Sequence, residues 1–310
     1  MSGVQKSGFL KKPDFWMISL FINNFMTQEK MRKIAIAQDT LKIMEAGYYS
    51  SPDGQRVDIS KTLASCLSQT KCYNPDTLST IQNYIIASQP KFSNTQFEVR
   101  NETTLMGAES LALTQEFQKI GVLNFASAKN PGGGFLKGAQ AQEESLARSS
   151  ALYKSLLKCP EYYEFHRAHK SLLYSDRIIY SPNCPVFKKD DGSLLNIPYL
   201  VDFITTPAPN AGEVWRNQPQ DMKKIPEFLH SRGAKLLSLA LSQGCEALVL
   251  GAWGCGVFKN DPSMVAQMFA DLLLPNGEFW GRFKIVLFSV LDSTKQTRTL
   301  TEFSSRFSNP

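Results

Sequence analysis

Short apolar runs alternate with helix-length segments through the last two-thirds of the chain, and this alternation limits the possible folds more than any other feature. The predicted strands cover residues 97–100, 121–125, 176–181, 199–205, 246–251 and 283–291, and the predicted helices cover residues 104–119, 143–158, 225–242 and 262–274. Strands interleaved with helices form a parallel or mixed sheet with helices on both faces. We therefore expect an α/β fold.

The first ninety residues are predicted to be mainly helical. Thr27 is suited to cap a helix that begins at Gln28, because apolar residues recur after it at spacings of three and four as far as Gly47, a residue typical of a helix end. A loop and a short strand are expected over 48–61, and a second helix over 76–87. We expect residues 1–90 to form a helical extension packed on a core of residues 91–310, the two making one compact unit.

An apolar stretch, residues 15–26, follows Lys11 and Lys12 as in a targeting signal. No small-residue cleavage site comes after it, and Asn23 and Asn24 interrupt it, so a packing segment or an extended start is favoured. No segment reaches the roughly eighteen apolar residues that cross a bilayer. We expect a cytoplasmic protein without a membrane segment, and a secreted effector is the alternative.

Charge and cysteine content narrow the function classes. The formal net charge of +6 comes from scattered residues, which suits a phosphorylated ligand but does not indicate nucleic-acid binding. Six cysteines without a CxxC pair indicate reduced thiols rather than a disulfide framework or a zinc site. His166 and His169 lack a third ligand and are expected to form a surface pair. No metal or cofactor is predicted.

Two glycine-rich loops follow predicted strands, at the sheet edge where ligands of such folds bind. The first begins at Asn124 and contains Gly132, Gly133 and Gly134, whose N–H groups can approach a diphosphate or a ribose without a side chain in the way. The second, residues 254–258, contains Gly254 and Gly256. The pairing predicts a site for a phosphorylated ligand.

Two adjacent acids, Glu143 and Glu144, close the first loop near a predicted helix start. Glycosidic cleavage needs a group that protonates the leaving oxygen and later activates water, and one Glu can do both. The neighbouring charge and partial burial are expected to raise the pKa of the acid. A plain turn followed by a solvated helix start is the alternative, but the joint pattern directly after an apolar strand favours catalysis.

This signature, three glycines followed after a short spacer by Gln142, Glu143 and Glu144, resembles that of the poly(ADP-ribose) glycohydrolases, in particular the microbial-type branch, which has a macrodomain fold. The resemblance extends from about Met31 to Leu291. It implies a three-layer α/β/α arrangement with a mixed central sheet and an N-terminal helical extension. It also implies hydrolysis of the ribose linkage in poly(ADP-ribose) or in ADP-ribosylated protein.

The same resemblance implies roles for individual residues. Glu144 would be the catalytic acid/base, and Glu143 would hold the ribose hydroxyls. Phe258 would position the terminal ribose, although it could instead be an ordinary core residue. The other implied substrate contacts are Asn124, Ala126, Asn130, Gly132, Gly133, Gly134, Gln142, Gly254, Cys255, Gly256 and Val257. Cys255 lacks a visible base, so a structural or ligand-adjacent role is favoured over a nucleophile.

The chain departs from the macrodomain pattern in one region. Residues 99–104 lack the Asp that binds the adenine amino group in many macrodomains. A hydrolase acting on single ADP-ribose units of a particular modified protein, and a non-catalytic ADP-ribose reader, are the alternative functions. The expected partner in every case is ADP-ribose or an ADP-ribosylated protein, bound by a monomer.

Overall fold

The computed structural model describes the backbone of residues 15–308 and the side chains of residues 26–308. Helices in this part of the chain are α1 (Phe15–Ala46), α2 (Ser60–Gln69), α3 (Pro75–Ala87), α4 (Thr104–Thr114), α5 (Gln142–Ser149), α6 (Leu152–Leu156), α7 (Pro160–Ala168), α8 (Ala211–Asn217), α9 (Ile225–Ser242), α10 (Pro262–Leu273) and α11 (Arg298–Phe307). The strands are β1 (Tyr48–Ser50), β2 (Arg56–Asp58), β3 (Lys71–Tyr73), β4 (Gln96–Arg100), β5 (Ile120–Phe125), β6 (Ile178–Lys188), β7 (Leu194–Thr206), β8 (Ala247–Leu250) and β9 (Ile285–Ser289).

Seven of these strands form one mixed sheet in the order β3-β6-β7-β5-β8-β9-β4. The pairs β7–β5, β5–β8, β8–β9 and β9–β4 are parallel, whereas β3–β6 and β6–β7 are antiparallel. The strands β1 and β2 make a separate hairpin. The expected mixed sheet of an α/β fold is confirmed.

Helices cover both faces of this sheet. Leu123 of β5 enters a core built with α3, α9, α10 and α11, and the preceding Val122 enters a second core built with α2, α4, α6 and α7. Adjacent strand residues point to opposite faces, so one strand serves both cores. The result is a three-layer α/β/α arrangement with β5 near its centre.

The start of the first helix was predicted wrongly. Helix α1 begins at Phe15 rather than Gln28, so Thr27 lies inside it and is not a cap. The stretch before Thr27 contains neither Gly nor Pro, and nothing local ends the helix there. Its end is as expected, because Gly47 has φ +76° and donates its N–H to Ile43 O. Lys11 and Lys12 lie outside the described residues, as do the side chains of residues 15–25.

Two other helices also differ from expectation. The segment 143–158 is two helices, α5 and α6, because Ser150 is extended (φ −145°), bridges to Val186 and turns its hydroxyl back to Leu146 O. Helix α4 ends at Thr114 instead of 119, where Gln115 takes φ +57°. The segment 48–61 forms a hairpin and the start of α2, which was not predicted. In residues 15–308 no helix is both long and apolar enough to cross a membrane.

Candidate active site

Strands β5 and β8 are parallel neighbours, so the loops that follow them leave the same edge of the sheet. Ile120 pairs with Ala247 at their starts. The first loop continues from Phe125 and the second from Leu250. Both predicted glycine loops therefore border one site, as ligand sites in parallel sheets require.

The first loop needs glycine at its centre. Gly132 and Gly133 have φ values of +67° and +59°, a region that other residues rarely adopt. A Cβ atom at Gly133 would lie 2.2 Å from Oε1 of Glu144 and 3.3 Å from Oε2 of Glu143. The absence of that atom brings the loop backbone against both carboxyl groups.

Glu143 is almost completely buried in the first turn of α5. Its Oε2 accepts from the N–H of Ser127 (2.6 Å), and its Oε1 accepts from Nδ2 of Asn124 (3.3 Å). Burial raises its pKa to about 8, with a smaller contribution from the charge of Glu144, against the lowering effect of these hydrogen bonds. The pKa increase was expected for the general acid, and the structure gives it to Glu143, the residue predicted to hold the ribose hydroxyls.

Glu144 is only half-buried, one residue further along α5. Its Oε1 accepts from the N–H of Gly134 (2.9 Å), and among the described residues no hydrogen bond to Oε2 is formed. One oxygen is thus held against the glycine loop. The two acids differ in burial and in partners, which suits them to different roles.

Gln142 anchors the helix that carries both acids. Its Oε1 accepts from the N–H of Phe125 (2.8 Å), while its Nε2 donates to Leu123 O (2.7 Å) and to Thr104 Oγ1 (3.2 Å). Both ends of the amide are engaged by the protein. These contacts tie α5 to β5 through Gln142, and the substrate contact predicted for this residue stays a prediction.

The remaining predicted residues of the first loop differ in accessibility. Asn124 is buried, donates also to Thr205 Oγ1 (3.2 Å), and has an Oδ1 without a partner among the described residues. Ala126 is buried and donates its N–H to Thr206 O. Asn130 is exposed beside the glycines and accepts from Gly133 N–H (3.0 Å).

The second loop is compact at its base and open at its tip. A Cβ atom at Gly254 would lie 2.5 Å from Nδ2 of Asn260, whereas nothing lies within 4 Å of one at Gly256. Val257 is 73% exposed, and Phe258 is half-buried. The loop therefore presents backbone N–H groups and one aromatic ring at the sheet edge.

Cys255 is a thiol at neutral pH. Burial raises its pKa to about 12, so it lacks the thiolate that a nucleophile needs.

Residues 99–104 hold β4 to the end of β9 and to the segment that follows it. Glu102 accepts from Ser289 Oγ (3.2 Å), and the side chain of Asn101 forms hydrogen bonds with the backbone of Asp292.

The prediction of a surface histidine pair is wrong for His166, which is fully buried. Its Nδ1 donates to Tyr162 O (2.8 Å) and its Nε2 accepts from Ser175 N–H (3.2 Å), while burial lowers its pKa to about 4. Within the described part of the chain no group of His, Cys, Asp and Glu could hold a metal ion.

Three residues near the site were not predicted. Ser127 donates to Glu143, Tyr174 packs on Phe258, and Arg232 lies fully buried beneath them. Only Arg232 carries a sequence signal, because it stands at helical spacing between the apolar residues Leu229 and Leu236 of α9.

Comparison with known proteins gives the following matches. Residues 37–189 match the family model for the microbial-type PARG catalytic domain. The structure of poly(ADP-ribose) glycohydrolase from Thermomonospora curvata is 45% identical, with a TM-score of 0.85, and the match covers 89% of this chain and 99% of that one. The same protein bound to the inhibitor ADP-HPD is 44% identical, with a TM-score of 0.82 and the same coverage.

The Deinococcus radiodurans enzyme in complex with ADP-ribose is 41% identical, with a TM-score of 0.74, and the match covers 79% of this chain and 96% of that one. No curated protein matches the sequence significantly.

Proposed function

This chain belongs to the microbial-type poly(ADP-ribose) glycohydrolase family, and from that premise we propose how its own residues carry the reaction. The fold is the macrodomain-like arrangement of this family, as the sequence resemblance implied. The protein is a glycosidase-type hydrolase that acts on poly(ADP-ribose). The ligand that it binds is ADP-ribose, at the edge formed by the two glycine loops.

Glu144 serves as the acid/base. It protonates the oxygen that leaves the anomeric carbon, the bond to that oxygen breaks through an oxocarbenium-like state, and the resulting carboxylate takes a proton from the water that adds to the carbon. The observation that carries this assignment is the fit between Gly133 and the Glu144 carboxyl, with Oε1 held by Gly134 N–H.

Glu143 holds the ribose hydroxyls. Because its pKa is about 8, it is largely protonated at neutral pH. The donors Ser127 and Asn124 fix its orientation. A fixed, neutral carboxyl beside the reacting ring suits binding better than proton exchange with water.

The loops supply the remaining contacts. The distal ribose and its phosphate lie against Gly132, Gly133 and Gly134, with Asn130 at the rim. The diphosphate lies on residues 254–257, whose glycines allow N–H groups to wrap phosphate oxygens. Phe258 packs on the terminal ribose.

The described part of the N-terminal extension, residues 15–90, belongs to the same compact unit as the described part of the core, residues 91–308. Support comes from β3, which pairs with β6 in the main sheet, and from the ion pair of buried Lys188 with Asp39 of α1 (2.7 Å). All six cysteines are unpaired, which supports a protein of a reducing compartment such as the cytoplasm.

The test is release of ADP-ribose from automodified protein by the wild type and Glu144→Gln. We expect at least a thousandfold loss with unchanged ADP-ribose affinity by calorimetry. Equal release by both proteins would remove Glu144 from the mechanism. ADP-ribose binding by a wild type that cleaves nothing would make the protein a reader, and release from mono-modified protein alone would make it a mono-ADP-ribosyl hydrolase.

A further inference from the structure

Phe258 lies in a loop that gives its ring little support of its own. Its neighbours Val257 and Lys259 are exposed, and Lys259 has φ +60°. The backbone is fixed by a hydrogen bond from Gly212 N–H to Phe258 O (2.9 Å). The orientation of the ring must therefore come from whatever packs against it.

Tyr174, which precedes β6, supplies the aromatic part of that packing, beside the apolar core against which Phe258 also lies. Its ring centroid lies 6.1 Å from that of Phe258 at an interplanar angle of 45°, and in the described part of the chain no other aromatic ring contacts Phe258. The Tyr174 side chain is buried, and the side chain of Asn210 interacts with its hydroxyl. Asn210 also caps α8 by accepting from Glu213 N–H (3.2 Å).

The backbone of Tyr174 is strained. Its φ of +59° lies in the left-handed region, which a bulky side chain rarely occupies. The fully buried Arg232 donates to Leu173 O (3.0 Å) and to Tyr174 O (3.3 Å), and is itself paired with Asp176 (3.1 Å). Such strain persists only where the surroundings over-determine the conformation, and it gathers at functional sites.

We infer that Tyr174 is a positioning residue for the reaction: held by Arg232, its ring supports Phe258 at the angle at which Phe258 meets the terminal ribose. This inference rests on the role proposed for Phe258. Without the Tyr174 ring, the Phe258 ring turns back into the space left behind, and the ribose loses its alignment with Glu144.

A double-mutant cycle tests the inference. Tyr174→Leu, Phe258→Ala and the double variant are compared for kcat and KM in the release of ADP-ribose from polymer. We expect Tyr174→Leu to lower kcat/KM about tenfold in the wild type, as a small misalignment of the reacting group does. In the Phe258→Ala background the same change should have less than about a twofold effect, because the ring that it positions is gone.

Phe165→Leu is the matched control. Tyr174 and Phe165 both pack on His166, with ring centroids 5.8 Å and 5.7 Å away, but among the described ring contacts Phe165 makes none with Phe258. It should leave kcat/KM within about twofold of the wild type. Tyr174→Phe keeps the ring and should do the same. If Tyr174→Leu does not fold, Tyr174→Met, which retains volume without a ring, replaces it in the cycle.

The outcomes separate two failures. If Phe258→Ala costs activity but Tyr174→Leu does not, or if the two losses multiply independently, the positioning role of Tyr174 is refuted and the proposed function stands. If Phe258→Ala itself costs nothing, the proposed role of Phe258 is refuted, and the role of Tyr174 with it.

Discussion

Replacing Gly133 with Ala should remove activity while leaving the protein folded. The added Cβ atom would lie 2.2 Å from Oε1 of Glu144, whereas ordinary contact begins at 3.4 Å. The carboxyl group must therefore retreat by about 1.2 Å, which breaks its hydrogen bond with Gly134 N–H. A displacement of about 1 Å of a catalytic group costs on the order of a hundredfold in rate, or about 2.7 kcal/mol of barrier.

The same substitution also strains the backbone, because Gly133 has φ +59°. That strain should cost about 1–2 kcal/mol of unfolding free energy. Gly54→Ala is the matched control: Gly54 has φ +84° in the β1–β2 turn, and nothing lies within 4 Å of its added Cβ. It should show the stability cost without the catalytic one.

The assay is steady-state release of ADP-ribose, paired with urea denaturation of the three proteins. We expect similar losses of unfolding free energy for Gly133→Ala and Gly54→Ala, and loss of kcat/KM for Gly133→Ala alone. A Gly133→Ala enzyme within threefold of wild-type kcat/KM would refute the proposed fit between the loop and the acid.

Three further predictions follow from buried polar groups. The pKa of Glu143 is about 8 in the folded protein against an ordinary 4.5, so its contribution to stability is complete below pH 4.5 and is lost as the pH rises towards 8. Glu143→Gln stays neutral, so from pH 4.5 to pH 9 its unfolding free energy should rise relative to that of the wild type by up to about 5 kcal/mol, as measured by urea titration. A difference between the two proteins that does not change with pH would contradict this. Asp176→Asn leaves buried Arg232 without its ionic partner and should cost about 3 kcal/mol in urea titrations, whereas a neutral result would show that the backbone acceptors suffice. Gln142→Ala leaves Leu123 O and Phe125 N–H unpaired, so it should lower the unfolding free energy by about 2 kcal/mol and lower kcat. Gln142→Glu cannot donate to Leu123 O, so its unfolding free energy should lie between those of the wild type and Gln142→Ala. Equal unfolding free energies of the wild type and both variants would exclude the anchoring role.

Local patterns in the sequence located the glycine loops and the acid pair, but not the residues that support them. The strand before Asn124, the triple glycine and the acid pair could be found because apolar runs, glycines and helix starts are signals of neighbouring residues. Which acid is buried could not be found, because the burial of Glu143 depends on the packing of α5 against the sheet.

Two of the errors have the same origin. His166 was predicted to be exposed, and its burial depends on Tyr162 and on Ser175, which lies beyond the end of its helix. The break at Ser150 depends on a bridge to Val186, a residue of another element. The early start of α1 has a different cause. Residues 15–26 contain no helix-breaking residue, so no local signal shows where the helix begins.

The parallel pairing of β5 with β8 has a consequence for detecting ligands. Both loops are rooted in strands that are buried on either face, and such strands exchange their amide protons only when the whole domain opens. A molecule that spans the two loops should therefore stabilise the native state globally, by about 2.7 kcal/mol at a concentration one hundred times its dissociation constant. A thermal-shift screen can then rank ligands of this site without any turnover, even with a Glu144→Gln protein.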